Sequence, residues 1–436
     1  MKTLIAAVLG MAALSASASA TISDVIVRQQ WPWNGKVNID YVLTDPEDGE
    51  HDITVVMSNG TQVVTNEYGS LSGDLFGVKP GARRIVWDPM HNNPTYTEKV
   101  LASFSVTLST PDDNARQYMI LDLSGGYDPE APIPVSFAAK PPASGWNTDE
   151  YKTTKMVLRR IPAGSFMMGS PEDEPGRVER NEALHRVTFT NDFYVALFKC
   201  TQKQYSTIYG TIPCQILDGS ATVERYAYNS VDGYSSPSND TRMVNFTTYA
   251  GLRGNTATNE TVWPHCAEGS FFGVLNSRAK SQLPVELNGW EFDCLSSSQW
   301  EYACRAGTSS AFYNGADITD AASDPNASLL GYRAYYGGIK KGGSFLSNNF
   351  GLYDMVGTFY EFAADLMPGG ASTWWSGDQI EPLRRSPDKW AYFVMCSGAW
   401  NGAASTFRSA SRQHILKIDS PTCTQGVRVA LVYRGN

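Results

Sequence analysis

Apolar and polar positions alternate through the first quarter of the chain. Val25 and Val27 show this spacing, as do Val37, Ile39 and Tyr41, then Ile53, Val55 and Met57. A period of two places such residues on one face of a strand. A turn at Asn59-Gly60 follows, then apolar stretches at Arg84–Trp87 and Leu101–Leu108. Short strands separated by turn residues predict an all-β unit over residues 21–110, a small sandwich of immunoglobulin-like type. The acidic run Asp45–Glu50 lacks the ligand spacing of a calcium loop and reads as a solvated turn. Trp31 and Trp33 read as sandwich core rather than as a contact surface.

A polar break at Ser109–Asn114 ends this pattern, and Tyr118–Leu123 reads as one further strand closed by Gly125-Gly126. Ala138–Thr148 is rich in Pro, Ser and Gly, so residues 111–150 read as a strand followed by a linker. The second unit, 151–436, is less regular. Met156–Ile161 predicts a strand, Ala163–Gly169 a turn into a second, and Arg186–Phe198 a third. Thr201–Tyr209 and Ser297–Arg305 read as helices with Thr and Ser caps and glycines just beyond. Ile212–Leu283 is long and polar, with Tyr228, Tyr234 and Trp263 embedded and a short helix at Phe271–Arg278. A loop of that length in a compact domain is usually functional or poorly ordered. The fold class expected is α+β: a sandwich, then a domain with little regular secondary structure.

The leading residues change the compartment. Lys2, the apolar run Leu4–Leu14 and Ala18-Ser19-Ala20 form a secretory signal peptide, residues 1–20, with Thr21 as the expected mature start. No stretch is long and apolar enough to predict a membrane span. An exported protein, periplasmic or extracellular, is expected. The net charge is −9 with no Lys/Arg stripe, which argues against a nucleic-acid partner. All seven cysteines lie after residue 199, none in CxxC spacing, and the five histidines are scattered. A zinc ribbon, a thioredoxin motif and a His-based metal site are therefore not expected. In an oxidising compartment some cysteines should pair, and an odd count leaves at least one over.

The stretch Phe350–Phe362, FGLYDMVGTFYEF, is mostly apolar, with only Asp354, Thr358 and Glu361 polar or charged. Burial of such a run would take Glu361 with it. A lone buried carboxylate is expensive, so Glu361 needs an ionic partner or a metal.

Six segments carry a family resemblance: Ile161–Ser170 (IPAGSFMMGS), Phe193–Tyr205, Ser298–Gly307 (SQWEYACRAG), Asn349–Phe362, Gly398–Arg412 and Gly426–Arg428. Together they make Met156–Ala430 similar to the formylglycine-generating enzyme, or sulfatase-modifying factor, family. The resemblance implies an elaborated C-type-lectin-like fold with a small twisted sheet and long packed loops. It also implies an activity: members bind Cu(I) through two cysteine thiolates, use O₂ and convert a sulfatase cysteine to formylglycine. Soft thiolates suit Cu(I).

This chain departs from that pattern at the chemistry. The family signature before the first cysteine falls on Cys396–Trp400, which puts the two catalytic positions at Gly402 and Phe407. The asparagine that helps bind calcium in relatives is Thr358, which leaves Glu361 as a weak metal candidate and Ca²⁺ as an open question. A family glutamate becomes Lys199, and the family's Leu-Pro-Thr-Glu becomes Cys294–Ser297, where Ser296 or Ser297 can still cap a helix. Arg408, Arg412 and Glu301 are retained and read as ion pairs tying loops together.

Two functional readings follow. In the first the protein is a non-catalytic binding or scaffold protein with no resident cofactor. Its contact face is Glu361, Trp400, Asn401, Ser405, Phe407 and Arg408, plus aromatics of the long insertion, offered to a protein or glycan ligand. Relatives that serve as variable ligand-binding proteins diversify this C-terminal region. In the second the protein is a Cu(I)- and O₂-dependent formylglycine-generating oxidase with a relocated thiol site. Cys396 lies near the lost position, and Cys423 or Cys304 is its candidate partner. A disulfide between two of these is the plainer reading for an exported chain. Oxygen-dependent C–S bond formation, as in ergothioneine-forming relatives, is set aside. Nothing before Tyr151 resembles their histidine-bearing helical module.

Overall fold

The computed structural model describes residues 20–30, 34–61, 63–92, 104–110, 116–213, 241–254, 263–331, 341–367, 377–384, 392–415, 422 and 424–435. Trp31, Trp33, Cys214, Tyr228, Tyr234, Cys423 and the leading residues 1–19 lie outside them.

The N-terminal alternation becomes two antiparallel sheets. One holds β1 (Thr21–Gln29), β2 (Val37–Thr44), β6 (Gly81–Trp87) and β5 (Leu71–Gly73) in that order. The other runs β4 (Val63–Thr65), β3 (Thr54–Ser58), β7 (Ser105–Ser109). Val37, Ile39, Tyr41 and Leu43 on β2, Val55 and Met57 on β3, and Ile85 and Trp87 on β6 are buried, as a period of two requires. Asp45 folds its acidic run back on itself. Its carboxylate accepts from the Glu47 amide at 2.9 Å and the Gly49 amide at 2.7 Å, with His51 Nε2 at 2.9 Å.

The segment read as a strand and linker is built into the second unit. β8 (Tyr118–Asp122) and β9 (Val135–Ala138) complete a six-stranded sheet in the order β14-β20-β13-β10-β8-β9. Its other strands are β10 (Lys155–Ile161), β13 (Phe193–Ala196), β14 (Trp290–Asp293) and β20 (Ala430–Tyr433). Trp146, inside the Pro/Ser/Gly stretch, is buried between Tyr118 and Tyr151, with ring centroids 5.0 and 4.7 Å away. That burial is why the stretch is not a free linker.

Arg186–Phe198 is two strands rather than one. β12 (His185–Phe189) pairs with β11 (Gly164–Met168), and β13 joins the large sheet. The Glu381 carboxylate separates them by accepting the amides of Thr190 and Asn191 at 2.6 and 2.9 Å. β16 (Gln379–Ile380) flanks β12. A fifth sheet, β18-β17-β15-β19, holds β15 (Tyr360–Met367), β17 (Tyr392–Cys396), β18 (Gln413–Ile415) and β19 (Gln425–Gly426). The three expected helices form, Gln202–Tyr209, Phe271–Ala279 and Ser297–Arg305, the first and last entered through capping boxes on Thr201 and Ser296. The architecture is mixed α/β.

The two units share one apolar core. Tyr68 and Phe76 from the first stack against Tyr302 and Phe350 of the second, with Tyr68–Tyr302 centroids 5.6 Å and Phe76–Phe350 4.5 Å apart. Backbone bonds join Tyr68 N to Ser165 O at 2.8 Å and Ser165 N to Asn66 O at 3.0 Å. A buried ion pair, Asp52 with Arg159, crosses the same junction at 2.6 Å.

Candidate functional site

Glu361 sits near the start of β15, 2% exposed. Its partners come from three separate segments. Trp300, on the Ser297–Arg305 helix, donates its indole N–H to Oε2 at 2.7 Å. Arg428 Nε lies 3.1 and 3.2 Å from the two oxygens, and Lys199 Nζ lies 3.1 Å from Oε1. The remaining Arg428 donors go to the carbonyls of Ala196, Leu197, Tyr353 and Asp354 at 2.8–3.2 Å. Burial alone would raise the Glu361 carboxyl. Arg428 and then Lys199 reverse this and hold it below the ordinary glutamate range. Burial pulls Lys199 below the ordinary lysine range, while Glu361 pulls it back up.

Backbone strain gathers at this hub. Asp354, Thr358 and Ser397 hold φ of 55°, 62° and 87°. Non-glycine residues adopt that region at a cost of roughly 1–3 kcal/mol each, and a β-branched threonine least readily. Thr358 Oγ1, Asp354 Oδ1 and both amide atoms of Asn245 are buried without a hydrogen-bond partner.

Calcium does not fit here. Each Glu361 oxygen already accepts from two donors, which exhausts a carboxylate's acceptor capacity, and two cations lie within 3.2 Å. Thr358 does not supply the side-chain carbonyl of asparagine. Among the described residues no group of three or more His, Cys, Asp or Glu side chains could hold a metal.

The Cu(I) positions fare no better. A Cβ built on Gly402 meets Thr406 Oγ1 at 2.4 Å and Ala399 O at 3.1 Å. Phe407 is fully buried, and one edge of its ring lies 2.7 Å from where a Gly398 Cβ would stand. The five described cysteines, Cys200, Cys266, Cys294, Cys304 and Cys396, are free thiols. The pairing expected of exported cysteines is therefore not found among the described residues. Burial pushes the Cys396 thiol well above its usual range and Cys304 up to about 12, the opposite of an activated thiolate.

The expected contact face divides in two. Trp400 is half-buried against Met243 and Phe359, Asn401 is exposed, and Ser405 is half-buried. Glu361, Phe407 and Arg408 belong to the interior. Arg408 is 1% exposed and donates to Glu182 at 2.7 and 3.0 Å, Glu174 at 2.5 Å and Gly176 O at 2.7 Å. Arg412 pairs with Glu301, whose other oxygen accepts from the Gly169 amide and Arg305 Nε, both at 2.9 Å. Both guanidinium groups are buried, Arg408 at 1% and Arg412 at 3% exposed, so neither offers itself to a ligand at the surface.

Sequence reasoning missed one cluster. Asp293 is clamped by Arg253 at 2.6 and 2.9 Å and by Arg434 at 2.8 Å, and the Cys266 thiol donates to it at 3.2 Å. The only signal was an Asp inside the apolar stretch Trp290–Leu295.

The sulfatase-modifying factor enzyme 1-like domain matches residues 144–432. Among solved structures, PvdO from Pseudomonas aeruginosa is 22% identical, covers 63% of this chain and 94% of its own, and has a TM-score of 0.40. Treponema denticola variable protein 1 is 16% identical, with coverages of 63% and 95% and a TM-score of 0.43. CarF is 14% identical, with coverages of 62% and 96% and a TM-score of 0.35. No curated protein matches. The domain match takes in well over half of the residues, and by it the chain belongs to the sulfatase-modifying factor enzyme 1-like (FGE-sulfatase) family.

Proposed function

We propose that this protein is an exported, non-catalytic member of its family, a binding or scaffold protein. It presents the exposed part of Trp400–Thr406 to a protein or glycan ligand. The observation that carries this reading is the state of the two family cysteine positions. One is Gly402, where a side chain would have to displace the Thr406 hydroxyl, and the other is Phe407, packed in the core. Trp400, Asn401 and Ser405 offer a half-exposed aromatic flanked by small polar groups, a composition suited to contact surfaces. Export rests on the signal-peptide pattern of residues 1–20. The N-terminal sheets, read as an immunoglobulin-like sandwich over 21–110, serve as a spacer bolted to the binding domain.

The test is a Cu(I) titration with a thiol count on the purified mature protein, native and denatured, alongside oxygen uptake with a cysteine-containing peptide. The reading expects no tight copper and no peptide-dependent uptake. Stoichiometric tight binding by a reactive thiol pair, with oxygen consumption, overturns it in favour of the oxidase. A glycan and protein array with Trp400→Ala as the control then identifies the ligand class.

A further inference from the structure

Lys199 lies within the buried run Phe193–Thr201 and is 1% exposed. Its ammonium carries three N–H donors and no acceptor. The three find three oxygens: Phe359 O at 2.5 Å, Ser397 Oγ at 2.6 Å and Glu361 Oε1 at 3.1 Å. The Ser397 hydroxyl sends its own proton to Gly357 O at 3.4 Å, which leaves a lone pair for the lysine. A carbonyl, a hydroxyl and a carboxylate converging on one point are the oxygen set that hard cations take. Two of these acceptors sit on or beside left-handed backbone, at Ser397 and next to Thr358, so the centre is built at a conformational cost.

We propose that Lys199 is a covalently tethered cation: its ammonium fills an oxygen-lined centre, and emptying that centre leaves a receptor for one monovalent cation of the alkylammonium class. The valence follows from the charges in view. Glu361 and Asp354 are both buried and face Arg428 and Lys199, and Asp354 also faces Lys152. Loss of the lysine removes one positive charge from this set. A monovalent ion restores the balance, whereas a divalent ion overshoots it beside Arg428, which stays 3.1 Å from Glu361. The size follows from the side chain. Lys199→Ala removes three methylenes and an ammonium, the outline of n-propylammonium.

The experiment follows melting temperature for the mature protein and for Lys199→Ala. Each is measured with n-propylammonium chloride, with tetramethylammonium chloride or 1-propanol as controls, and with calcium or a chelator. Wild type is expected to melt at the same temperature in every solution. Lys199→Ala is expected to melt at least about 5 °C lower, since it takes one of two cations from the buried Glu361 carboxylate and leaves a cavity. Only n-propylammonium should raise it, saturably. A wild-type melting temperature that falls on chelation overturns the proposal. So does a Lys199→Ala variant that melts with wild type, or one that calcium rescues and n-propylammonium does not. Should Lys199→Ala not fold unaided, it should refold from urea when n-propylammonium is present, and failure there also counts against the proposal. Lys199→Met fills the space without the charge. It should be destabilised and insensitive to n-propylammonium, and a rescue of it would show that the effect is unrelated to the emptied centre.

Discussion

Asp52→Ala strikes the junction between the two units at a buried ion pair. Asp52 and Arg159 side chains are 3% and 4% exposed. Arg159 Nη2 meets both Asp52 oxygens, at 2.6 and 2.7 Å, while Nη1 reaches Gln117 and the Arg160 carbonyl. Asp52 also accepts the Gly77 amide at 3.1 Å. The substitution strands a buried guanidinium edge and a backbone N–H together. Removing one partner of such a pair costs about 3–5 kcal/mol, because the other charge stays in the interior. At about 1.4 kcal/mol per decade this is a hundred- to several-thousand-fold in the folding equilibrium. The assay is urea unfolding followed by tryptophan fluorescence and by far-UV circular dichroism. The shared core predicts coincident wild-type transitions. Asp52→Ala should bring the midpoint down and separate an early transition of the N-terminal sheets. Asp52→Leu with Arg159→Met, which removes both charges, should recover most of the loss. A loss below about 1 kcal/mol in the single variant, the range of exposed pairs, refutes the reasoning. So does a double variant as unstable as the single one.

Two further outcomes follow from the buried groups. Glu361 is held below the ordinary glutamate range, so its ion pairs contribute fully above about pH 4 and fade as pH falls through the depressed value. Glu361→Gln should therefore be destabilised at pH 7, with the gap to wild type narrowing as pH falls below about 4, and a gap that widens in acid would contradict this. Among the five described thiols, half-buried Cys266 should react first with a disulfide reagent at pH 8. Cys200, Cys294, Cys304 and Cys396 should react only as the protein opens, and rapid native labelling of Cys396 in mass spectrometry would break that order.

What the sequence discloses here depends on how far apart the interacting residues lie. The helix Ser297–Arg305 was legible because its cap, its apolar face and its end are all local. β2 was legible because each inward residue declares itself by alternation. Glu361 was legible as a buried charge in need of a partner, but its partners were not, since Trp300, Lys199 and Arg428 reach it from 61, 160-odd and 67 residues away, roughly the span that only tertiary folding supplies. Trp146 was hidden because prolines and serines around it mimic a linker, while one tryptophan between two tyrosines decides the burial. Arg408 and Phe407 were assigned to a surface because a loop without periodicity shows no inside. The strand break at Thr190 was invisible because Glu381, far along the chain, makes it.

Strand β13 lies between β20 and β10 in the large sheet, and β14 reaches that sheet only through β20. β20 is synthesised last of the six strands, at Ala430–Tyr433. While the chain is still emerging, β13 therefore shows an open edge of backbone donors and acceptors, and β14 has no neighbour to lean on. Open edges invite pairing with other chains. The N-terminal sheets, complete by Ser109, can close long before this. A polypeptide released or cut before Ala430 is thus expected to carry a finished front half fused to an adhesive, unfinished back half. Quality control acting on this protein has its clearest cue in the last strand made.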